Sequence, residues 1–353
     1  MTDATVLLDD PLSRALARYW HPVCTLDELA AAAPRPLAVR LLGRDLAVAD
    51  LGMPGRPAPV AYVDRCPHRS TRLSVGTVER GCARPGVRCA YHGWRFAADG
   101  ACTEIPAMPD GPIPRRADVD AFRADVAYDL VWVCLAEEPA APIPPNPAWD
   151  DPEMHVVAGA PYVWPVAAPR RVENFVDLSH FAWVHDGTLG RRDVPVPPLP
   201  EIRREAGELR FAYDPPDMPT AAEALFGHSR YRMPMPCTVD IEFFLATGAR
   251  RELWMTASPI DARSCRTFWT VSRDDDLDGD DAQHLAFQQV VLDEDEPVVA
   301  NQHPPEMVLD GLEVSVRTDK VSIEYRRWLR DLVAETTGAP TGASADDREA
   351  VRA

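Results

Sequence analysis

Apolar positions in the first 136 residues fall in short clusters. Residues 37–51 and 59–65, rich in Val, Leu and Ala and bounded by Pro and Gly, predict strands. Residues 88–106 hold a His-Gly-Trp turn followed by Asp99-Gly100, a pair that favours a hairpin. Residues 125–136, DVAYDLVWVCLA, predict a last apolar strand. Short strands separated by turns make a small all-β domain. A proline-dense stretch at 137–149, EEPAAPIPPNPAW, reads as a semi-rigid linker. Beyond it the pattern changes. Residues 170–185 predict a helix, with Leu, Phe and Val recurring on one side. Strands follow near 201–213, 229–247, 250–259 and 265–273, then helices near 281–302 and 317–335. This second region is an α+β domain. The expected division is 1–140, 141–335 and a small, polar, disordered tail at 336–353.

Two domains suit 353 residues, and 46% hydrophobic content fills two cores. No apolar run reaches transmembrane length, and the N-terminus lacks a basic start and an apolar h-region. The expectation is a soluble, cytoplasmic protein. A formal net charge of −18 argues against nucleic-acid partners and against docking on anionic lipid. Eight cysteines in a chain with no secretion signal need not form disulfides. Cys24, Cys134, Cys237 and Cys265 read as small buried hydrophobes. Cys82 and Cys102 have no histidine at ligand spacing.

Cys66-Pro67-His68 and Cys89-Ala90-Tyr91-His92 are short clamps that together offer two thiolates and two imidazoles. Such a set suits one zinc ion. It equally suits a Rieske [2Fe–2S] centre, with two cysteines on one iron and two histidines on the other. Further on, Asp177-Leu178-Ser179-His180 is followed by His185. Two imidazoles there can hold one iron and leave positions open for oxygen. A helix turns about 100° per residue, so side chains five apart point roughly 140° apart. Irregular backbone is therefore expected at 181–184.

The stretches CPHR (66–69), RLSVG (72–76), YHGWRFAADG (91–100) and NFVDLSHFAWVH (174–185), with YWHPVCTLDEL (19–29), resemble the Rieske non-haem iron oxygenases. The interval between His68 and Cys89 is about three residues longer than the family usually has, with the excess placed at 81–86. Ser70 stands where glycine is frequent. The resemblance implies a Rieske domain followed by a helix-grip-like catalytic domain with an antiparallel sheet. It implies that Cys66, His68, Cys89 and His92 bind the cluster, that His180 and His185 bind Fe(II), and that Asp177 bridges to a neighbouring subunit.

A third iron ligand completes the facial triad of two histidines and one carboxylate. Asp186 adjoins His185, and the chain would have to double back on itself for it to share the metal. The candidates are Asp293, Glu294, Asp295 and Glu296. On a helix the neighbours lie three and four residues away. For Asp295 these are Val291, Leu292, Val298 and Val299, all apolar, and a lone acid on such a face needs a partner or a metal. The resemblance also points to Asp295.

The resemblance implies a homotrimeric terminal oxygenase of the monooxygenase or O-demethylase branch. Its electrons would come from NAD(P)H through a separate reductase, with or without a ferredoxin. No Gly-rich dinucleotide fingerprint lies in this chain, in keeping with that division of labour. The substrate would be O2 plus a small aromatic or polycyclic molecule, in a pocket lined from 201–260 with Phe243, Phe244, Trp254 and Met255 as candidates. The alternatives are a Rieske-type electron carrier or a zinc-binding structural protein.

Overall fold

The computed structural model describes residues 10–205, 207–214 and 228–338. Two compact units emerge. One comprises Ala17–Ile143; the other comprises Pro144 onward together with Asp10–Leu16. The short helix α1 (Pro11–Leu16) thus departs from the expected division at 140. It buries Ala15 and Leu16, and it packs against the last of the described helices.

In the first unit, β1 (His21–Thr25) leads into α2 (Leu26–Ala32), whose start is closed by a capping box between Thr25 and Glu28. Strands β2 (Leu37–Leu41), β3 (Arg44–Asp50) and β4 (Pro59–Val63) follow. A small four-stranded sheet then forms from β5 (Thr77–Glu79), β6 (Gly86–Arg88), β7 (Arg95–Ala97) and β8 (Cys102–Glu104). The expected hairpin at Asp99-Gly100 joins β7 to β8. Gly100 has φ +78, and a Cβ there would meet the Val119 carbonyl at 2.0 Å.

The segment read as one strand at 125–136 is a hairpin instead. β9 (Ala121–Ala127) and β10 (Leu130–Cys134) meet at Tyr128-Asp129, where both residues have positive φ. Neither is glycine, so the turn carries no compositional signal. β10 is buried throughout and lies between β1 and β9 in a six-stranded antiparallel sheet of order β1-β10-β9-β4-β3-β2.

The second unit opens with α3 (Pro147–Asp150), β11 (His155–Ala158) and β12 (Tyr162–Trp164). α4 (Ala168–Val176) and the single turn α5 (Phe181–Val184) follow. Two stretches expected as strands fold as hairpins: β13 (Arg203–Glu205) with β14 (Glu208–Tyr213), and β15 (His228–Met235) with β16 (Thr238–Phe244). β17 (Arg250–Asp261) and β18 (Ser264–Arg273) are long and pair along most of their length. These eight strands form one antiparallel sheet, ordered β11-β18-β17-β16-β15-β14-β13 with β12 also on β18.

Helix α4 packs across β16, β17 and β18. Helix α6 (Asp281–Val299) is capped by Asp280 and contains Pro297. Helix α7 (Lys320–Thr337) ends at Gly338 in the left-handed conformation, so Thr336 and Thr337 are helical rather than part of a tail. The remainder of the expected disordered tail lies outside the described residues.

Candidate metal centres

Cys66 and His68 sit on the loop after β4; Cys89 and His92 sit on the loop between β6 and β7. The two loops are built alike. The carbonyl of Cys66 accepts from Ser70 N at 3.0 Å, and that of Cys89 accepts from Gly93 N at 3.1 Å. Each loop turns through a left-handed residue four positions past its cysteine, Ser70 at φ +58 and Gly93 at φ +72. A serine held there costs about 1 kcal/mol, which is the price of the departure from glycine noted in the sequence. Buried Asp64 accepts from Ser74 N and Ser74 Oγ, both at 2.7 Å, and so pins the first loop.

Both thiols are 2% exposed, and the core beneath them includes Tyr62, Leu73, Val87 and Phe96. Burial, with the Cys89 thiol adjacent, pushes the Cys66 thiol up to about 11. The rings of His68 and His92 have centroids 4.5 Å apart, and His68 stacks on Trp94 at 4.6 Å. Nδ1 of His68 is buried without a hydrogen-bond partner. Two adjacent buried thiols and an orphaned ring nitrogen facing the same loops fit a two-iron cluster. His92 and Tyr91 are exposed, so one edge of the centre meets solvent. Cys82 is exposed, and the other five non-motif cysteines are buried; all eight are free thiols.

Cys89→Ala is expected to abolish the visible absorption of the cluster and leave the fold intact, because a two-iron centre that loses one of its two thiolates lacks a ligand of like charge at that position. Absorption and anaerobic EPR of the reduced protein check this. Retention of the full reduced-cluster signal would show that Cys89 is not a ligand.

The second centre forms where α4 ends. Asp177 is the C-cap of α4, His180 precedes α5 and His185 follows it with φ −107 and ψ 36. The irregular backbone expected at 181–184 therefore lies elsewhere. The helix breaks at 177–180, and α5 is a regular turn with one histidine at each end. Because neither imidazole sits inside the helix, the 140° divergence does not apply. Nε2 of His180 and Nε2 of His185 are 3.2 Å apart. Oδ1 of Asp295 lies 3.5 Å from the former and 3.2 Å from the latter. Ligand atoms about 2.1 Å from one metal at 90–110° are about 3.0–3.4 Å apart, so this triangle fits a single divalent ion.

Asp295 is 4% exposed, whereas Asp293 and Glu296 are exposed. Burial would raise the Asp295 carboxyl, but His180, His185 and the Arg171 guanidinium at 3.7 Å hold it well below the usual carboxylate range. Burial would also lower His180; Asp177 and Asp295 outweigh it and lift the ring to about 9. The pocket thus favours positive charge, a proton or a metal ion.

Asn174 on α4 donates to Asp295 Oδ1 at 3.1 Å. Arg171 is fully buried, with its guanidinium over the rings of Phe175 and Trp164 at 3.8 and 4.3 Å. Asp177 is half-buried: Oδ1 accepts from Ser179 N at 2.8 Å and Oδ2 stands 3.6 Å from His180 Nδ1.

Of the pocket candidates, Phe243 lines a cavity of about 290 Å³ with Leu253, Val271, His284, Phe287 and Gln288. Trp254 and Met255 are fully buried instead, and Phe244 lies under the Arg230 guanidinium. The sequence reading missed Gln288. It is 7% exposed, and its side chain makes no hydrogen bond to the described residues. Its helical neighbours His284, Leu285, Val291 and Leu292 are mostly apolar, so the reasoning that singled out Asp295 could have found it. Gln288 and Asp295 are seven residues apart and share one face of α6, about 10 Å apart along its axis.

Residues 19–123 match the Rieske [2Fe-2S] domain, and residues 164–335 match the vanillate O-demethylase oxygenase C-terminal domain. The chain is 42% identical over 324 residues to methylxanthine N3-demethylase NdmB of Pseudomonas putida, covering 90% of this chain and 89% of that protein. It is 41% identical over 323 residues to methylxanthine N1-demethylase NdmA of the same species, again covering 90% and 89%. The solved structure of Pseudomonas putida CBB5 NdmA with caffeine superposes with a TM-score of 0.85 at 38% identity, covering 97% of each chain.

Proposed function

We propose that this chain, which belongs to the Rieske non-haem iron oxygenases, removes an N-methyl group from a small, flat, carbonyl-bearing heteroaromatic such as a methylxanthine. It is an oxygenase of the monooxygenase type. Its cofactors are a Rieske [2Fe–2S] cluster and non-haem Fe(II), and its electrons come from a reductase or ferredoxin. No helix among the described residues is long and apolar enough to cross a membrane. A cytoplasmic setting, where NAD(P)H is supplied, suits this chemistry.

In this reading Cys66, His68, Cys89 and His92 hold the cluster, and His180, His185 and Asp295 hold the iron. The cluster supplies electrons singly, and the iron supplies a site where O2 is split. Overall, one oxygen atom enters a methyl C–H bond and the other leaves as water, with two electrons and two protons consumed. The N-hydroxymethyl product releases formaldehyde and leaves N–H. Asn174 and Arg171 hold the Asp295 carboxylate in place throughout.

The observation that carries the substrate class is Gln288. Its amide lines the cavity and makes no side-chain hydrogen bond to the described residues, so it is free to pair with a ligand there. An amide both donates and accepts, and so matches the adjacent N–H or C=O groups of a lactam edge. Phe243, Phe287 and Leu253 offer the apolar walls a planar ring requires. An electron carrier or a zinc module would have no use for either the triad or this cavity.

We further propose a head-to-tail homotrimer in which His92 of one copy meets Asp177 of the next. Supporting it, Tyr91 beside His92 is 63% exposed, and Trp183 near Asp177 is 61% exposed. Val314 and Val316 are also exposed, just before Asp319, which lies close enough to Asp177 to feel its charge.

The test is turnover with a reconstituted reductase across N-methylated purines and O-methylated aromatic acids, following formaldehyde and product together. Formaldehyde released one-for-one from a methylxanthine is the expected result, and Gln288→Leu should raise KM about tenfold with kcat less affected. Formaldehyde from the aromatic ethers alone would overturn the substrate assignment.

A further inference from the structure

We infer that Glu294 is a positioning residue for the iron site, acting on His185 and held in place by Thr188. The inference rests on His185 being an iron ligand. His185 is 1% exposed, and its two ring nitrogens face different partners. Nε2 points into the triangle with His180 and Asp295. Nδ1 points away, 2.7 Å from Glu294 Oε2. The other carboxylate oxygen, Oε1, accepts from Thr188 Oγ1 at 2.8 Å. Glu294 therefore cannot be a ligand in this arrangement, although it is next to Asp295 in sequence. Adjacent residues on a helix diverge by about 100°, so one turn of α6 sends Asp295 to the metal position and Glu294 to the far side of the imidazole.

The physical consequence is a fixed tautomer. A neutral imidazole carries one proton, on either nitrogen. A carboxylate 2.7 Å from Nδ1 holds the proton there and leaves the Nε2 lone pair for metal. It also makes the ring a stronger donor to the metal. Without that acceptor, a proton on Nε2 would block binding, or a buried Nδ1–H would go unsatisfied.

Thr188 is positioned by a tight turn. The His185 carbonyl accepts from the N–H groups of Thr188, Leu189 and Gly190 at 2.9, 3.0 and 3.0 Å. The turn closes only because residue 190 is glycine: a Cβ there would lie 2.3 Å from the Phe181 carbonyl oxygen. His180 differs: the nearest carboxylate oxygen, Asp177 Oδ2, stands 3.6 Å from its Nδ1, and that nitrogen is buried without a hydrogen-bond partner among the described residues.

The experiment strips the mononuclear iron with a chelator while the cluster's visible spectrum confirms that it stays in place. Fe(II) is then titrated anaerobically against a competing chelator. In parallel, Co(II) is loaded and its high-spin EPR signal recorded with the cluster oxidised and silent. Changing the outer partner of a ligand histidine typically costs 10–100-fold in affinity. Glu294→Gln keeps an acceptor but loses the charge, so about tenfold weaker Fe(II) binding and an altered Co(II) signal are expected. Glu294→Ala should cost about 100-fold, and Thr188→Val about threefold.

If Glu294→Ala does not fold, Glu294→Gln and Thr188→Val still decide. Wild-type affinity and an unchanged Co(II) signal in both, while His185→Ala loses the metal, would overturn this inference alone. Metal retention in His185→Ala would overturn the ligand assignment beneath it.

Discussion

Asp295→Ala is expected to keep its cluster, lose its mononuclear iron and fall to background turnover. Three atoms converge at 3.2–3.5 Å, and Asp295 supplies the only oxygen among them. Removing it leaves two imidazoles five residues apart in sequence, too few ligands to retain Fe(II) against dilution. The loss should exceed the 10–100-fold that altering an outer partner costs. The substitution also leaves Arg171 buried beside an empty space. Breaking a buried pair from one side costs about 3–5 kcal/mol in general. Here the stacking of Arg171 on Phe175 and Trp164 and its contact with Asn174 soften that penalty. Asp295→Asn, which preserves volume, separates lost stability from lost ligation. Iron content, cluster absorbance and melting temperature should be measured beside Asp293→Ala and Glu296→Ala. Both of those acids are exposed, so wild-type iron and activity are expected. Normal iron in Asp295→Ala together with failure of either neighbour would refute the assignment.

The parts of the site that could be read from sequence are those set by local spacing. Each Cys–His pair lies within four residues, so loop geometry alone brings its side chains together. Asp295 was legible because helix periodicity is local. Three of its four apolar neighbours, Val291, Leu292 and Val299, are buried, while Val298 is 53% exposed. Contacts spanning the fold left no such trace. Glu294 meets His185 across 109 residues and Arg171 meets Asp295 across a similar interval, and nothing in either short motif announces the partner.

The backbone followed the same rule. Strands were visible as apolar runs, but the turn at Tyr128-Asp129 reverses the chain with residues that rarely adopt positive φ. The apolar pattern across it therefore predicts one strand where two pair. The misplaced break near His180 has another cause. The apolar pattern over 170–185 predicts one helix through both histidines, whereas α4 ends before the first and a new turn begins. Helix α1 went to the second unit because α7 offers it an apolar face, a long-range match that no local pattern encodes.

Asp177→Asn should leave both metals bound and slow turnover by at least about a hundredfold. In the structure the two oxygens of Asp177 do different work. Oδ1 accepts from Ser179 N at 2.8 Å, fixing the chain where α4 ends, and Oδ2 faces His180 Nδ1 at 3.6 Å. Asparagine has one oxygen and one NH2. If the oxygen keeps Ser179, the NH2 meets the ring N–H of His180, donor against donor. If it turns, the bond from Ser179 N that holds the chain just after α4 is lost. Neither choice removes a metal ligand, so iron and cluster contents should match wild type.

On the proposed head-to-tail trimer, what should fail is the connection to the cluster of a neighbouring copy. In single-turnover mixing of the reduced protein with O2 and substrate, the cluster should stay reduced; oxidation at the wild-type rate would dismiss the bridge. A complementation experiment tests the same path without touching Asp177. Cys89→Ala chains are expected to have iron but no cluster, and Asp295→Ala chains a cluster but no iron. Each should be inactive alone, and co-expressed mixtures should recover activity, because electrons from one chain's cluster would serve its neighbour's iron. Mixtures as inactive as the separate variants would confine electron transfer to single chains and remove the reason for placing Asp177 at a subunit boundary.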